Sequence, residues 1–187
     1  HHDMAKIEKI YHKTSVVQCL IGCLLFIGII INKQHVVHLL HKPEYDQYFN
    51  VLIMIGMAFL VDITGGLNGH IISSSKQYKL VTFLSMTAAF SVLVLNFLLI
   101  PRYGMMGAAI AYLLTMTALN LTYHFFIKVK FGFQPIGKAH AHILMISIIS
   151  LLAGLYIPHF DNEYVDFFIR SAAATFIFTL SAYFLNV

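Results

Sequence analysis

Apolar runs of about 20 residues, each long enough to cross a bilayer as a helix, follow one another along nearly all of this 187-residue chain. Reading at that length gives six spans, over about residues 14–32, 47–72, 79–100, 104–127, 141–158 and 164–186. In hydrocarbon every backbone N–H and C=O must be satisfied within the protein, so only helices or a closed barrel can cross. Barrel strands would alternate polar and apolar residues in stretches of about ten. These runs are apolar all round, as helices in lipid are, and the fold class is therefore all-α integral membrane. Composition agrees: 59% of residues are hydrophobic and 11% charged, and the mean hydropathy is +0.78, far from the balance of a soluble domain. A secretory signal would be one short apolar stretch at the N-terminus, so here the hydrophobicity belongs to the fold.

The few charges carry topology. Twelve Lys and Arg against eight Asp and Glu give a net charge of +4, too dispersed for a nucleic-acid surface. Lys6, Lys9, Lys13, Lys76, Lys79, Lys128, Lys130 and Lys138 fall on one side of the six spans. Lys33, Lys42 and Arg102 fall on the other with the acidic loop of Asp161, Glu163 and Asp166, and Arg170 follows inside the sixth span. The positive-inside rule places the first group, and with it both termini, in the cytoplasm. The chain opens His-His-Asp-Met and stops inside an apolar run at Val187, which reads as a piece of a longer protein. Cys19 and Cys23 lie one turn apart in an apolar run, where disulfide geometry is poor and no further thiolates wait for a metal; they read as small packing residues.

Two stretches are expected to lie along the membrane surface. In the lead-in to the first span, Met4, Ile7 and Tyr11 recur at helical spacing between lysines, an amphipathic pattern. Before Pro43, Val36, Val37, Leu39 and Leu40 sit among His35, His38 and His41. Histidines at strict spacing of three drift around a helix, and no carboxylate stands in ligand register with them, so a polar face at the headgroups is preferred to a metal site. The same holds for His140 and His142. No phosphate loop, HExxH or nucleophile elbow occurs, and His159 beside Asp161 makes no convincing acid–base pair. The expectation is a protein that is not an enzyme and holds no metal or cofactor.

The second span carries the polar residues that call for explanation: AFLVDITGGLNGHIISSSKQYK puts Asp62, Thr64, Asn68, His70 and three serines where hydrocarbon is expected. A carboxylate at that depth is costly and faces the bundle interior, a cavity or a partner. Asp62, Gly66, Gly69 and Ser73 share one helical face, while Gly65 and Gly69 form a GxxxG that permits close helix approach. Two readings stay open for Asp62, Asn68 and His70: hydrogen bonds that cement packing, or contact with a cavity or a coupling ion. Asn96 and Asn120 can bond across helices, and His124 lies near enough to the interface to reach water. Arg170, about two turns into the last span, either snorkels outward, the preferred reading, or faces a cavity and meets an anionic headgroup.

Between the third and fourth spans, Pro101 lacks a donor and biases Ile100 away from helix, so the third span is expected to end there. Arg102 and Tyr103 suit the interface. Gly104 opens the next helix, and Gly107, Ala111 and Thr115 make a small-residue stripe. The short joint makes the two spans antiparallel neighbours.

LNFLLIPRYGMMGAAIAYLLT (Leu95–Thr115) resembles the "L-I-P-x-Y-G-x-x-G-A-A-I-A" hairpin in the C-terminal half of bacterial polysaccharide flippases of the O-antigen exporter type, in the multidrug/oligosaccharidyl-lipid/polysaccharide exporter superfamily. DITGGLNGHIISSSKQYK (Asp62–Lys79) resembles the segment that precedes it there, and the likeness is sharpest from Tyr45 to Pro135. The resemblance implies a six-helix lobe of a MATE-like two-lobe transporter, with this chain as the second lobe and the N-terminal lobe missing. It implies a substrate as well: a polyprenyl-diphosphate-linked oligosaccharide, turned across the bacterial cytoplasmic membrane by alternating access for surface polysaccharide such as the O-antigen of lipopolysaccharide. The face around Asp62 and Asn68 would line the cavity or the lobe interface; Na⁺, H⁺ and the membrane potential stay open as what drives transport. Cations for the diphosphate, Arg170 apart, would sit in the missing lobe. A multidrug or lipid II exporter of the same superfamily and a non-transporting membrane scaffold remain alternatives.

Overall fold

The computed structural model describes residues 2–39, 43–134, 136–158, 160 and 162–185. They form helices joined by short links, with no strand among the described residues. In chain order these are α1 (His2–Ile31), α2 (Lys33–Leu39), a single 3₁₀ turn at Pro43–Asp46, α3 (Phe49–Thr64), α4 (Asn68–Ser73), α5 (Tyr78–Tyr103), α6 (Met105–Phe131), α7 (Lys138–Tyr156) and α8 (Glu163–Phe184). Five stretches are long and apolar enough to cross a membrane: Lys6–Ile31 of α1, and helices α5, α6, α7 and α8. Helix α3 is apolar but shorter.

Three boundaries differ from the sequence reading. The amphipathic lead-in is not a separate element: α1 is continuous from His2, and Tyr11 is fully buried rather than set at a surface. The stretch 47–72 is not one continuous helix but two, α3 and α4, separated at Gly65–Leu67. Gly66 causes the separation, for its φ of +60° belongs to the left-handed region that only glycine adopts without strain. Helix α5 runs through Pro101 to Tyr103. Proline's fixed φ suits a helix, although Pro101 forgoes a bond to the Phe97 carbonyl and its ring crowds that carbonyl, a cost borne in the last turn. The helix ends instead at Gly104, whose φ of +56° turns the chain while its N–H still bonds Ile100 O at 2.8 Å.

Contacts divide the chain into two compact units, His1–Gln18 with Asn50–Ile136, and Cys19–Phe49 with Gly137–Val187. The first is built on the α5–α6 hairpin, with α4 packed on both helices. A Cβ on Gly107 would overlap the Leu99 carbonyl, so glycine lets the two backbones touch. Tyr11, Ile72, Tyr123, Ile127 and Phe133 form its buried cluster.

In the second unit α7 packs along α8, and Ser150 Oγ donates to Ala174 O at 2.8 Å. Gly154 makes room for Ile31, whose Cγ2 would lie 2.8 Å from a Cβ there. The Asn32 amide donates to Gly28 O (2.9 Å) and to Ser171 Oγ (3.0 Å). Asn162 caps α8 by accepting the N–H groups of Tyr164 and Val165 at 3.0 and 3.3 Å. Lys33, the first residue of α2, pairs with Asp46 at 2.8 Å and stands 5.3 Å from the centre of the Phe49 ring.

Candidate functional site

Breaking a helix frees carbonyls at the end of the first piece and N–H groups at the start of the second. The α3–α4 break is served by one face of α1. Ser15 Oγ donates to Thr64 O at 2.6 Å, and one turn earlier the Tyr11 hydroxyl donates to Asn68 Oδ1. The approach is close, since a Cβ on Gly66 would stand 3.2 Å from Ser15 Cα.

Helix α6 reaches the same break from another side. Asn120 Nδ2 donates to Asp62 Oδ1 at 3.0 Å and to Met116 O of its own helix at 3.1 Å. Gly65 leaves the space in which the amides meet: a Cβ there would lie 2.5 Å from Asn120 Oδ1 and 2.7 Å from Asn68 Nδ2. Tyr11, Asn68, Asn120 and Asp62 thus form a chain of polar groups from α1 through the break to α6. The chain ends in a cleft of about 460 Å³ whose wall also includes Gln18, Gly69, His70 and Tyr123. Asn68 and Asn120 are buried, whereas Asp62 and His70 are exposed. Gln18 Oε1 is buried without a hydrogen-bond partner. A carboxylate beside an interrupted helix, with amide and backbone oxygens at hand, can hold a small cation or a proton.

Asp62, Asn68 and His70 therefore share one cleft, and Asn120 joins them by bonding across helices. Gly65 and Gly66 are tightly packed, yet a Cβ on Gly69 would meet nothing within 4 Å. The helix break between them takes Gly65 and Gly69 off a common helix, so no GxxxG face forms. Ala111 is fully buried in the stripe below Gly107. Asn96 Oδ1 and His124 Nδ1 are buried with no partner.

Arg170 lies in the second unit, and neither sequence reading of it holds. It is 2% exposed, so it does not snorkel, and its nitrogens are taken by the protein. Nε meets Asp166 Oδ2 at 2.9 Å, Nη1 donates to Gly154 O at 3.1 Å and Nη2 to Ile157 O at 2.6 Å. The guanidinium caps the last carbonyls of α7, where the helix dipole favours a cation. Asp166 is correspondingly no loop residue. Its Oδ1 accepts the Phe160 N–H at 3.0 Å, and His35 Nε2 comes within 3.4 Å of its Oδ2.

Those contacts were missed in the sequence, as was His38 Nδ1, 3.1 Å from Glu163 Oε2. The signal was present. His35 and His38 on α2 are three apart, as are Glu163 and Asp166 on α8, and Asp166 and Arg170 are four apart. Among the described residues no group of three or more His, Cys, Asp or Glu could hold a metal. His140 Nδ1 accepts the Gly137 N–H at 3.3 Å, while His41, His159 and Asp161 lie outside the described residues.

These helices and their buried polar bonds define a multi-pass α-helical membrane protein. Over 122 residues the chain is 26% identical to the capsular polysaccharide biosynthesis protein CapF of Staphylococcus aureus, a match covering 65% of this chain and 31% of that protein. The chain is thus a distant, partial relative of a protein of polysaccharide biosynthesis, spanning under a third of its length. No family model and no solved structure matches.

Proposed function

We propose that this chain helps to translocate a polyprenyl-diphosphate-linked oligosaccharide across the bacterial cytoplasmic membrane for surface polysaccharide biosynthesis. The observation that carries the proposal is kinship with a capsular polysaccharide biosynthesis protein in a chain of membrane-crossing helices. A glycan is barred from hydrocarbon by its hydroxyls, so a pathway that builds one on a lipid in the cytoplasm needs a protein to turn the headgroup over. The chain acts as the second of two lobes, the first lying in the same polypeptide, and they alternate access around the headgroup. It performs no covalent chemistry and needs no cofactor. The Asp62 cleft couples the movement to Na⁺ or H⁺, and both ends of this chain face the cytoplasm.

The test reconstitutes the full-length protein into vesicles holding a fluorescent undecaprenyl-diphosphate oligosaccharide and adds an impermeant quencher. The expected result is protein-dependent quenching of the inner-leaflet pool. Quenching of fluorescent lipid II alone would transfer the assignment to a lipid II exporter. No quenching of either would leave a scaffold.

A further inference from the structure

With Arg170 fully engaged, phosphate recognition falls to other cations. One cleft of the first unit holds two lysines, Lys9 and Lys13, that make no ion pair among the described residues. It measures about 400 Å³ and is lined by Glu8, Lys9, His12 and Lys13 of α1 and by Gln134, beyond the end of α6.

Apolar anchors fix both walls. Tyr11, between the two lysines, is fully buried in the cluster that includes Tyr123, Ile127 and Phe133. After α6 the chain turns at Gly132, whose φ is +74° and whose N–H bonds Lys128 O at 3.1 Å. Phe133 then drops into the same cluster and stacks on Phe131, ring centres 5.9 Å apart. Gln134 is thereby held opposite the lysine face of α1.

Lys9 and Lys13 stand four apart, so their like charges oppose each other on adjacent turns. Neither has an ion-pair partner among the described residues, although Glu8 lines the same cleft. An anion with several oxygens relieves that repulsion. Lysine binds phosphate as a point charge, and the Gln134 amide adds a directional donor. Glu8 supplies an acceptor, which suits hydroxyls beside the phosphate rather than phosphate alone. The volume fits a headgroup of that size.

We propose that this cleft binds the phosphate of a hydroxyl-bearing lipid headgroup. Two lipids present that chemistry, an acidic phospholipid such as phosphatidylglycerol and the diphosphate-linked glycan lipid. The latter as ligand rests on the function proposed above; the phosphate site does not.

Native mass spectrometry of the full-length protein in detergent tests it, titrating phosphatidylglycerol, an undecaprenyl-diphosphate sugar and zwitterionic phosphatidylcholine. The two anionic lipids are expected to outcompete phosphatidylcholine, and Lys9→Gln with Lys13→Gln to weaken them about ten-fold or more, near the expectation for two lysines at an anionic surface. Lys6→Gln removes a charge from the same helix outside the cleft and is expected to change little. Equal losses for Lys6→Gln and the double variant would show diffuse attraction and overturn the site, as would an unchanged double variant. Tighter binding of the diphosphate lipid names the glycan carrier; equal binding names an acidic phospholipid. A wild-type protein that flips its lipid yet shows no preference for the anionic lipids over phosphatidylcholine would sink the site alone, and a preserved preference without flipping would sink only the transport reading.

Discussion

Arg170 and Asp166 stand one turn apart on α8 with Nε and Oδ2 2.9 Å from each other and both side chains 3% exposed. Two charges so deep are tolerated because neither is alone: the guanidinium also takes the carbonyls of Gly154 in α7 and of Ile157 just beyond it, and the carboxylate also takes a backbone N–H. Removing one partner strands the other, and for buried pairs that costs about 3–5 kcal/mol. Arg170→Met or Asp166→Leu alone should therefore sharply lower the thermal midpoint in detergent. The double variant should recover much of the loss. If Arg170→Met left the midpoint unchanged, the pair would not be structural and an anion-binding role for Arg170 would return.

Gly107 gives a contrast of positions within one residue type. Its missing Cβ is where the Leu99 carbonyl sits, whereas a methyl on Gly69 meets nothing. Overpacking of this kind costs about 1–3 kcal/mol, while an open position changes stability by about 0.5 kcal/mol or less. Gly107→Ala should loosen the α5–α6 hairpin and Gly69→Ala should not, as read from unfolding in detergent and from proteolysis near Gly104. Equal effects would mean that the hairpin does not depend on backbone contact.

Helical class and the positions of the long apolar helices were legible because hydrocarbon length and backbone satisfaction leave so few solutions. Gly104 as the joint of α5 and α6 was legible too, although Pro101 was given the role of stopping the helix. What the sequence concealed were features set by partners distant along the chain. Gly65 and Gly66 were read as packing residues within one span, and the break they make depends on Ser15, 49 residues away in sequence, holding the Thr64 carbonyl. Asp62 stood out by itself, but Asn120 as its partner could not be selected from several intramembrane amides. Arg170 was misread because a cation near a span end suits snorkelling equally well, and only the end of α7 shows where its donors go.

The Tyr11–Asn68 bond is open to direct measurement. Tyr11→Phe keeps the buried ring and removes the donor to Asn68 Oδ1, and hydrogen bonds between membrane helices are worth about 0.6–1.7 kcal/mol. A double-mutant cycle of Tyr11→Phe and Asn68→Leu should give a coupling energy in that range. Additive losses would show that α1 and α4 are held by the apolar cluster alone.

Asp62→Asn separates the two readings of the cleft. An asparagine can still accept the Asn120 N–H through its own Oδ1, so the bond to α6 persists and stability should shift by about 0.5 kcal/mol or less. The charge, however, is gone, and with it the means of holding a cation or releasing a proton. In vesicles with an imposed Na⁺ or pH gradient, the wild-type protein should turn over the lipid-linked oligosaccharide proposed as its substrate faster than without one. The variant should fold normally and respond to neither. A variant with the same gradient response would show that Asp62 only joins α3 to α6. One that failed to fold would show that its carboxylate is structural, and in both cases the coupling site would have to be sought elsewhere.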